Sequence, residues 1–427
     1  MSKVQQKIGW KTAAGLVISN MIGTGVFTSL GFQLLDVQNT WSIILLWLIG
    51  GFLAIIGAFT YAELGTYFKE SGGDYIFLSR IFHPFAGYLY AWISLTIGFS
   101  APIAISAMAM TQYLSPINES IFTNWFGIGI ILLLTTVHSF SLGQSEKFQD
   151  ITTFFKLTFV AGLIVLGFMY TPTLETSLNF TPTWQKEIFL PGFAVSLIYV
   201  TYAYTGWNSA AYIVDEIEDP RNNLPKALIL GTLLVMVVYV LLQLVFLRHA
   251  SVAQLAGKVE VADIAFSNIF GRNGGFWVSI FIALQLLATI SGYLWVGSRI
   301  TFAMSKENPL WHSLAVKNTN GIPVRALWAQ AIISIALTLT GTFEQVMLYA
   351  SFALQLMGTL TIAALLFLKQ GKENTFKSPL KPYLQIIYLL FSFWVLGFML
   401  YERSYESCIG LAFVAVGGIT YFFQPRR

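Results

Sequence analysis

Charge is scarce in this sequence, and cysteine is nearly absent. The 427 residues carry 24 Lys and Arg and 20 Asp and Glu, so only 10% are charged, against about 25% in an average soluble protein. A soluble chain of this length needs many more ions to cover its surface. That shortage excludes a soluble enzyme, a disordered scaffold and a nucleic-acid binder together. The one cysteine, Cys408, excludes an internal disulfide framework and a cysteine-rich metal site. No ATP-binding loop or soluble domain interrupts the chain, and no cofactor is expected. What is present is apolar: 56% hydrophobic residues, 16% aromatics and a mean hydropathy of +0.68. The sequence reads as an all-α polytopic membrane protein embedded in a lipid bilayer.

A hydrocarbon core about 30 Å thick takes roughly 20 apolar residues per helix. Runs of that kind number twelve, at about 11–35, 41–68, 85–115, 122–143, 150–170, 190–214, 228–248, 274–304, 325–341, 345–368, 383–400 and 406–423. The runs are continuous instead of alternating, which excludes a β-barrel. Met1–Lys11 is polar and the run behind it leads straight into more spans, so no removable signal peptide is expected. Basic residues then set the orientation. With the N-terminus inside, eighteen of the 24 fall on the cytoplasmic side, among them Lys3, Lys147, Lys372, Arg426 and Arg427. Only Lys186, Arg248, Lys258, Arg272 and Arg403 face out, while Lys156 lies within a span. This bias places both termini in the cytoplasm of a cell-membrane protein and accounts for the net charge of +4 without a nucleic-acid partner.

Two spans carry polar interruptions. The first contains Ser19-Asn20-Met21-Ile22-Gly23-Thr24-Gly25-Val26-Phe27, and the sixth contains Tyr202-Ala203-Tyr204-Thr205-Gly206-Trp207-Asn208-Ser209. Glycine in a transmembrane helix commonly serves helix packing. Here, however, each interruption lies in the first helix of a five-helix unit. Five is odd, so the second unit runs inverted, and paired broken helices in inverted halves point to a transporter binding site. Free N–H groups at the start of one half-helix attract a carboxylate, and free carbonyls at the end of another attract an ammonium. The expected architecture is one transporter domain over 1–427. It comprises a five-plus-five inverted repeat, helices 1–5 in 1–170 and helices 6–10 in 190–368, with helices 11–12 in 383–423 and helices 1 and 6 unwound at mid-membrane.

These residues carry a family resemblance. Gly15–Phe27 resembles the first helix of the amino acid–polyamine–organocation superfamily. Tyr61-Ala62-Glu63-Leu64-Gly65 with Ser71-Gly72-Gly73-Asp74-Tyr75 is similar to its second helix and following loop. Tyr202–Asn208 with Asp219-Pro220-Arg221-Asn222-Asn223-Leu224-Pro225 is similar to its sixth, and Ser291-Gly292 through Ser298-Arg299 to its eighth. The nearest branch is the L-type amino acid transporters and their prokaryotic relatives, including bacterial alanine-serine-cysteine exchangers. The resemblance implies alternating access to one central α-amino acid site. In it Gly23, Thr24 and Gly25 hold the substrate carboxylate, and carbonyls around Ile22 and of Tyr202, Ala203 and Thr205 take the ammonium. Tyr202 closes over the substrate as a gate, and Asn208 supports the unwound segment. A bulky residue at Gly23 or Gly25 is then expected to abolish binding while leaving the fold largely intact. The external loop near Ser115–Thr123 lacks the cysteine through which metazoan members attach a heavy subunit, so no disulfide-linked partner is expected.

Lys156 admits two readings. A long side chain near a helix end can snorkel to the interface, whereas a charge inside a span more often faces a named protein partner. The resemblance implies the second: a lysine filling the place of sodium, against carbonyls near Gly23 and the Thr289 or Ser291 hydroxyl. Glu63, Asp215, Glu218 and Asp219 read as solvated charges or partners of Lys226 and Arg221, with Glu216 left open. With no acid or arginine placed at mid-membrane, the expected cargo is a neutral L-amino acid, moved without sodium and by exchange. Alternatives are proton coupling through Lys156 or Glu216, and a cationic amino acid or polyamine carrier. A membrane enzyme is disfavoured because only His138 of four histidines lies in a span, without an obvious partner. A sensor that binds amino acids without moving them stays open.

Overall fold

The computed structural model describes residues 7–140, 146–172, 178–369 and 375–423, the side chains of 146–152, 307 and 309 excepted. Lys3, Lys147, Lys372, Arg426 and Arg427, and with them the two chain termini, lie outside the residues or side chains so described.

Long apolar runs with few charges have no route to stability except to satisfy every backbone group internally, and they do so as helices. Among the described residues, eight helices are long and apolar enough to cross a membrane: Trp10–Gln33, Thr40–Phe68, Pro84–Leu114, Pro220–His249, Arg272–Lys306, Phe343–Phe367, Tyr383–Glu402 and Ser404–Phe422. The sequence runs at 122–143, 190–214 and 325–341 correspond to shorter apolar helices, Asn124–Phe140, Pro191–Ala203 and Val324–Thr340, and the run at 150–170 to the helix Glu146–Met169. The second of these falls short because the helix stops at Ala203. The connection expected at 249–273 is no plain loop. It holds Val252–Leu255, started by a Ser251–Gln254 capping box, and the apolar helix Val261–Phe270. That segment covers the first broken helix, because Gly31 lets the Lys258 carbonyl approach and the Gly257 N–H donates to the Gly31 carbonyl at 2.7 Å.

Three irregularities position the site. The first span divides into Trp10–Met21 and Thr24–Gln33, because Ile22 (φ −72°, ψ 93°) and Gly23 leave helical geometry. The sixth divides into Pro191–Ala203 and a 3-10 stretch, Ser209–Glu216, joined by a turn in which Gly206 takes φ +101°. Only glycine adopts that conformation without strain. The third span carries a π-turn at Ser94–Phe99, where Leu95 spares its carbonyl to accept the Ser100 hydroxyl at 2.7 Å. Below the breaks, Ile8 exchanges backbone hydrogen bonds with Glu216 and Glu218, both 2.9 Å, so the chain ahead of Trp10 is strapped to the second broken helix.

Candidate functional site

The two breaks meet each other. A Cβ on Gly25 would stand 2.5 Å from Ala203 Cα, and one on Gly206 would stand 2.8 Å from the backbone of Asn20. Each glycine therefore admits the backbone of the opposite broken helix. Gly23 differs, with its nearest neighbour, the Met21 carbonyl, at 3.9 Å. This changes the expectation for bulky residues. At Gly25 a side chain would drive the two helices apart, so the fold itself is at stake there, whereas Gly23 faces space.

The interrupted ends are then satisfied unequally. Met21 and Ala203 are the last residues of their half-helices, and their carbonyls lack the usual partner four residues on. Tyr239, from Pro220–His249, supplies one. Its hydroxyl donates to Met21 O at 2.5 Å and lies 3.1 Å from Ala203 O. No residue caps the start of Thr24–Gln33 with a side chain, and its first turn borders a small cavity of about 20 Å³ between Gly23, Thr24, Gly25, Tyr202 and Thr289. Thr24 itself turns away, its hydroxyl 2.8 Å from Ser106. Replacing Tyr239 by Phe is expected to leave a folded protein with a lower melting temperature. One buried carbonyl loses its donor, at a cost of about 1–3 kcal/mol, and thermal unfolding in detergent checks it. An unchanged melting temperature would remove Tyr239 from this account.

Lys156 is 7% exposed and does not snorkel. Its ammonium donates to the carbonyls of Ser19 and Ile22, both at 3.2 Å, and lies 3.5 Å from Thr289 Oγ1. The contact thus falls one residue before Gly23. Thr289 and Ser291 were equal candidates, but residues two apart on a helix point about 200° apart. Ser291 accordingly sits 2.8 Å from His138 Nε2, the partner not evident in the sequence. Tyr202 is buried and lines both the small cavity and a larger one of about 810 Å³. Thr205 folds its hydroxyl back onto the Tyr202 carbonyl at 2.7 Å. Asn208 Nδ2 lies 3.5 Å from the Tyr212 hydroxyl, holding the turn to the 3-10 stretch. Trp207 packs edge-on against Tyr61 at 4.7 Å, over Gly57.

The larger cavity runs from the breaks to the end of the bundle that carries Ile8, Ser71 and Glu216. Its wall contains two charges, Asp74 and Arg299, that the spans' sequence did not place there. Asp74, fully buried, accepts the hydroxyls of Tyr61 and Tyr212, and Tyr90 in turn pairs with Tyr212. Arg299 lies flat over Trp295 at 4.0 Å and donates to its carbonyl at 3.0 Å. Asp74 is thus engaged by two hydroxyls, and Arg299 by the carbonyl and ring of Trp295. Glu63, expected near Lys226 and Arg221, pairs with Lys381 at 3.0 Å and accepts the Ser378 N–H at 2.8 Å. Asp215 accepts the Ser71 hydroxyl, and Asp219 the Asn222 side chain at 2.7 Å.

A bundle of apolar helices with two interrupted members meeting back to back, and a cavity leading from that meeting point to one end, is the architecture of a small-molecule transporter. The comparison with known proteins gives the particular family. Amino acid permeases match residues 8–420, and the chain belongs to that family. The human large neutral amino acids transporter small subunit 2 is 30% identical over 98% of this chain and 80% of its own length. The mouse b(0,+)-type amino acid transporter 1 is 27% identical over 99% of the chain and 88% of its own. For the mouse Asc-type amino acid transporter 1 the values are 27%, 98% and 81%. The protein is a multi-pass membrane transporter of amino acids in the amino acid–polyamine–organocation superfamily, on its L-type branch, and is not an enzyme.

Proposed function

We propose that this transporter carries neutral L-amino acids across the cell membrane without sodium, by exchange through one central site. The observation that supports the reading best is the ammonium of Lys156 seated on the Ser19 and Ile22 carbonyls. A fixed positive charge there repels a second cation, and its three donors occupy the oxygens a sodium ion would need. In this reading the spans number twelve, and 1–170 and 190–368 are inverted repeats followed by 383–423. Both termini are cytoplasmic, so the larger cavity opens inward. The N–H groups of Gly23, Thr24 and Gly25 hold the substrate carboxylate. Carbonyls of Ile22, Tyr202, Ala203 and Thr205 receive the ammonium, Tyr202 closes the site, and Asn208 braces the unwound turn. Thr289 completes the Lys156 cage, and Ser291 belongs to the neighbouring His138 pair. A disulfide-linked subunit has no part in this reading, since Cys408 lies in the last helix, far in sequence from the 115–123 loop.

Selectivity tests the substrate class. Asp74 is engaged by Tyr61 and Tyr212, and Arg299 by Trp295, so a charged substrate side chain would have to break these contacts to find a counter-ion, which is costly. Small and medium neutral amino acids are expected to inhibit uptake into proteoliposomes at least about tenfold better than Lys, Arg, Asp or Glu, a difference of about 1.4 kcal/mol. Decarboxylated analogues are expected to fail. Glu216, at the cavity mouth, gives the rival reading its footing, and strong inhibition by arginine would turn the assignment towards a cationic amino acid or polyamine carrier.

A further inference from the structure

The end of the bundle opposite the cavity is shut by a layer with its own chemistry. Phe32, on the second half of the first broken helix, stacks on Tyr199 (5.8 Å, 27°) and on Phe343 (5.6 Å, 13°). All three rings are buried. Above the stack, the Tyr199 hydroxyl donates to Glu344 Oε1 at 2.6 Å, and the same oxygen takes Arg403 Nη2 at 3.2 Å. Among the described residues, nothing of the first broken helix beyond Gly25, and nothing of the second before Thr201, lines either cavity.

The layer has a plane along which it would part. On one side, the Ser29 hydroxyl donates to the Tyr199 carbonyl at 3.3 Å, tying Phe32 and Tyr199 together. On the other, Phe343 and Glu344 begin the Phe343–Phe367 helix, started by a Thr342–Gln345 capping box. Glu344 therefore sits in a first turn, where the helix dipole favours its charge. Arg403 lies in the turn between Tyr383–Glu402 and Ser404–Phe422. Partial burial opposes its charge, but Tyr199, Glu344, Asp36 and Glu406 more than offset that, so the guanidinium stays protonated.

We propose that Glu344 is the keystone of the gate on this face: one carboxylate oxygen holds the paired broken helices to the Phe343 helix and to the Arg403 turn, and releases them when the site opens there. Its exposure suits that work. The Glu344 and Arg403 side chains are 26% and 31% exposed, so water competes for the pair and keeps it weak. The stacked rings beneath it stay dry and align the closure. A lock broken in every cycle has to be weak, and a purely structural ion pair has no such requirement. The inference rests on the alternating-access reading above.

Access to the cavity from each side is the test. Ser351 lines the larger cavity, so Ser351→Cys in a Cys408→Ser background places one thiol there. A membrane-impermeant thiol reagent is applied to vesicles of either orientation. In the otherwise unchanged protein, modification is expected from the Ile8 side. Glu344→Ala is expected to raise the rate from the Phe32 side about threefold or more and to lower it from the Ile8 side. Tyr199→Phe, which keeps the ring and removes only the donor, is expected to move both rates in the same directions and guards against a folding defect in the first variant. Glu70→Ala, which breaks the exposed Arg80 pair, is expected to move neither. Unchanged two-sided rates in folded Glu344→Ala and Tyr199→Phe, or equal shifts in Glu70→Ala, overturn the gate. If the shift appears but the unmodified protein takes up no amino acid in liposomes, the transport reading fails and the gate stands as a conformational equilibrium.

Discussion

Replacing Lys156 by Ala is expected to reduce amino acid turnover in proteoliposomes by more than about tenfold while weakening initial binding far less. The ammonium joins the first broken helix, through Ser19 and Ile22, to Thr289 on Arg272–Glu307. These elements lie in different moving parts of the proposed cycle, so the link bears on the balance between states more than on the site itself. Alanine takes the ammonium's hydrogen bonds from two buried carbonyls, at about 1–3 kcal/mol each. A cost of that size, borne unequally by the two end states, changes their ratio by one or two orders of magnitude. In the unmodified protein, exchanging sodium for choline is expected to leave uptake unchanged. The proton-coupled alternative predicts that uptake rises as external pH falls, and that the alanine variant loses the response. Normal turnover in Lys156→Ala, or uptake that requires sodium, would sink the role assigned to this residue.

The second large effect separates packing from binding at two glycines two residues apart. Gly25→Ala is expected to prevent recovery of stable protein, because its Cβ would meet backbone at 2.5 Å and backbone cannot step aside. Gly206→Ala is expected to behave alike, adding the strain of φ +101° to a clash with Asn20. Gly23→Ala meets nothing closer than 3.9 Å. It is expected to fold with a normal melting temperature and to lose substrate affinity, since a methyl group there crowds the N–H groups that start Thr24–Gln33. Thermal unfolding and binding measured on the same preparations check both halves. Wild-type affinity in folded Gly23→Ala would remove the helix start from the binding model.

Much of this was legible in the sequence because it is written in local terms. Apolar length marks a span, and Gly23, Gly25 and Gly206 mark the places where a helix is interrupted. The interruptions in the structure fall where those residues stand. A charge in an apolar run likewise announced Lys156. What was not legible is pairwise. Nothing near Tyr239 in the run Val237-Val238-Tyr239-Val240-Leu241 says that its hydroxyl will reach two helix ends some 218 and 36 residues away. The only signal is that a buried tyrosine needs a partner. Asp74 was hidden in a motif read as loop, and its burial follows from Gly73, which has no Cβ to keep the Tyr212 ring away. The helix at Val261–Phe270 escaped because a ten-residue helix falls below the length that marks a span.

The Tyr239 hydroxyl carries a stoichiometric consequence. It owns a single hydrogen, yet two terminal carbonyls, Met21 O and Ala203 O, look to it. The shorter distance says that Met21 holds the proton and Ala203 is left with the weaker share. At the meeting point of the two broken helices one donated proton therefore serves two acceptors. In the proposed binding mode an incoming α-ammonium brings three, enough to give Ala203 O a donor of its own and still serve other oxygens of the turn. In the proposed binding mode the substrate thus adds donors at the seam where the two broken helices meet.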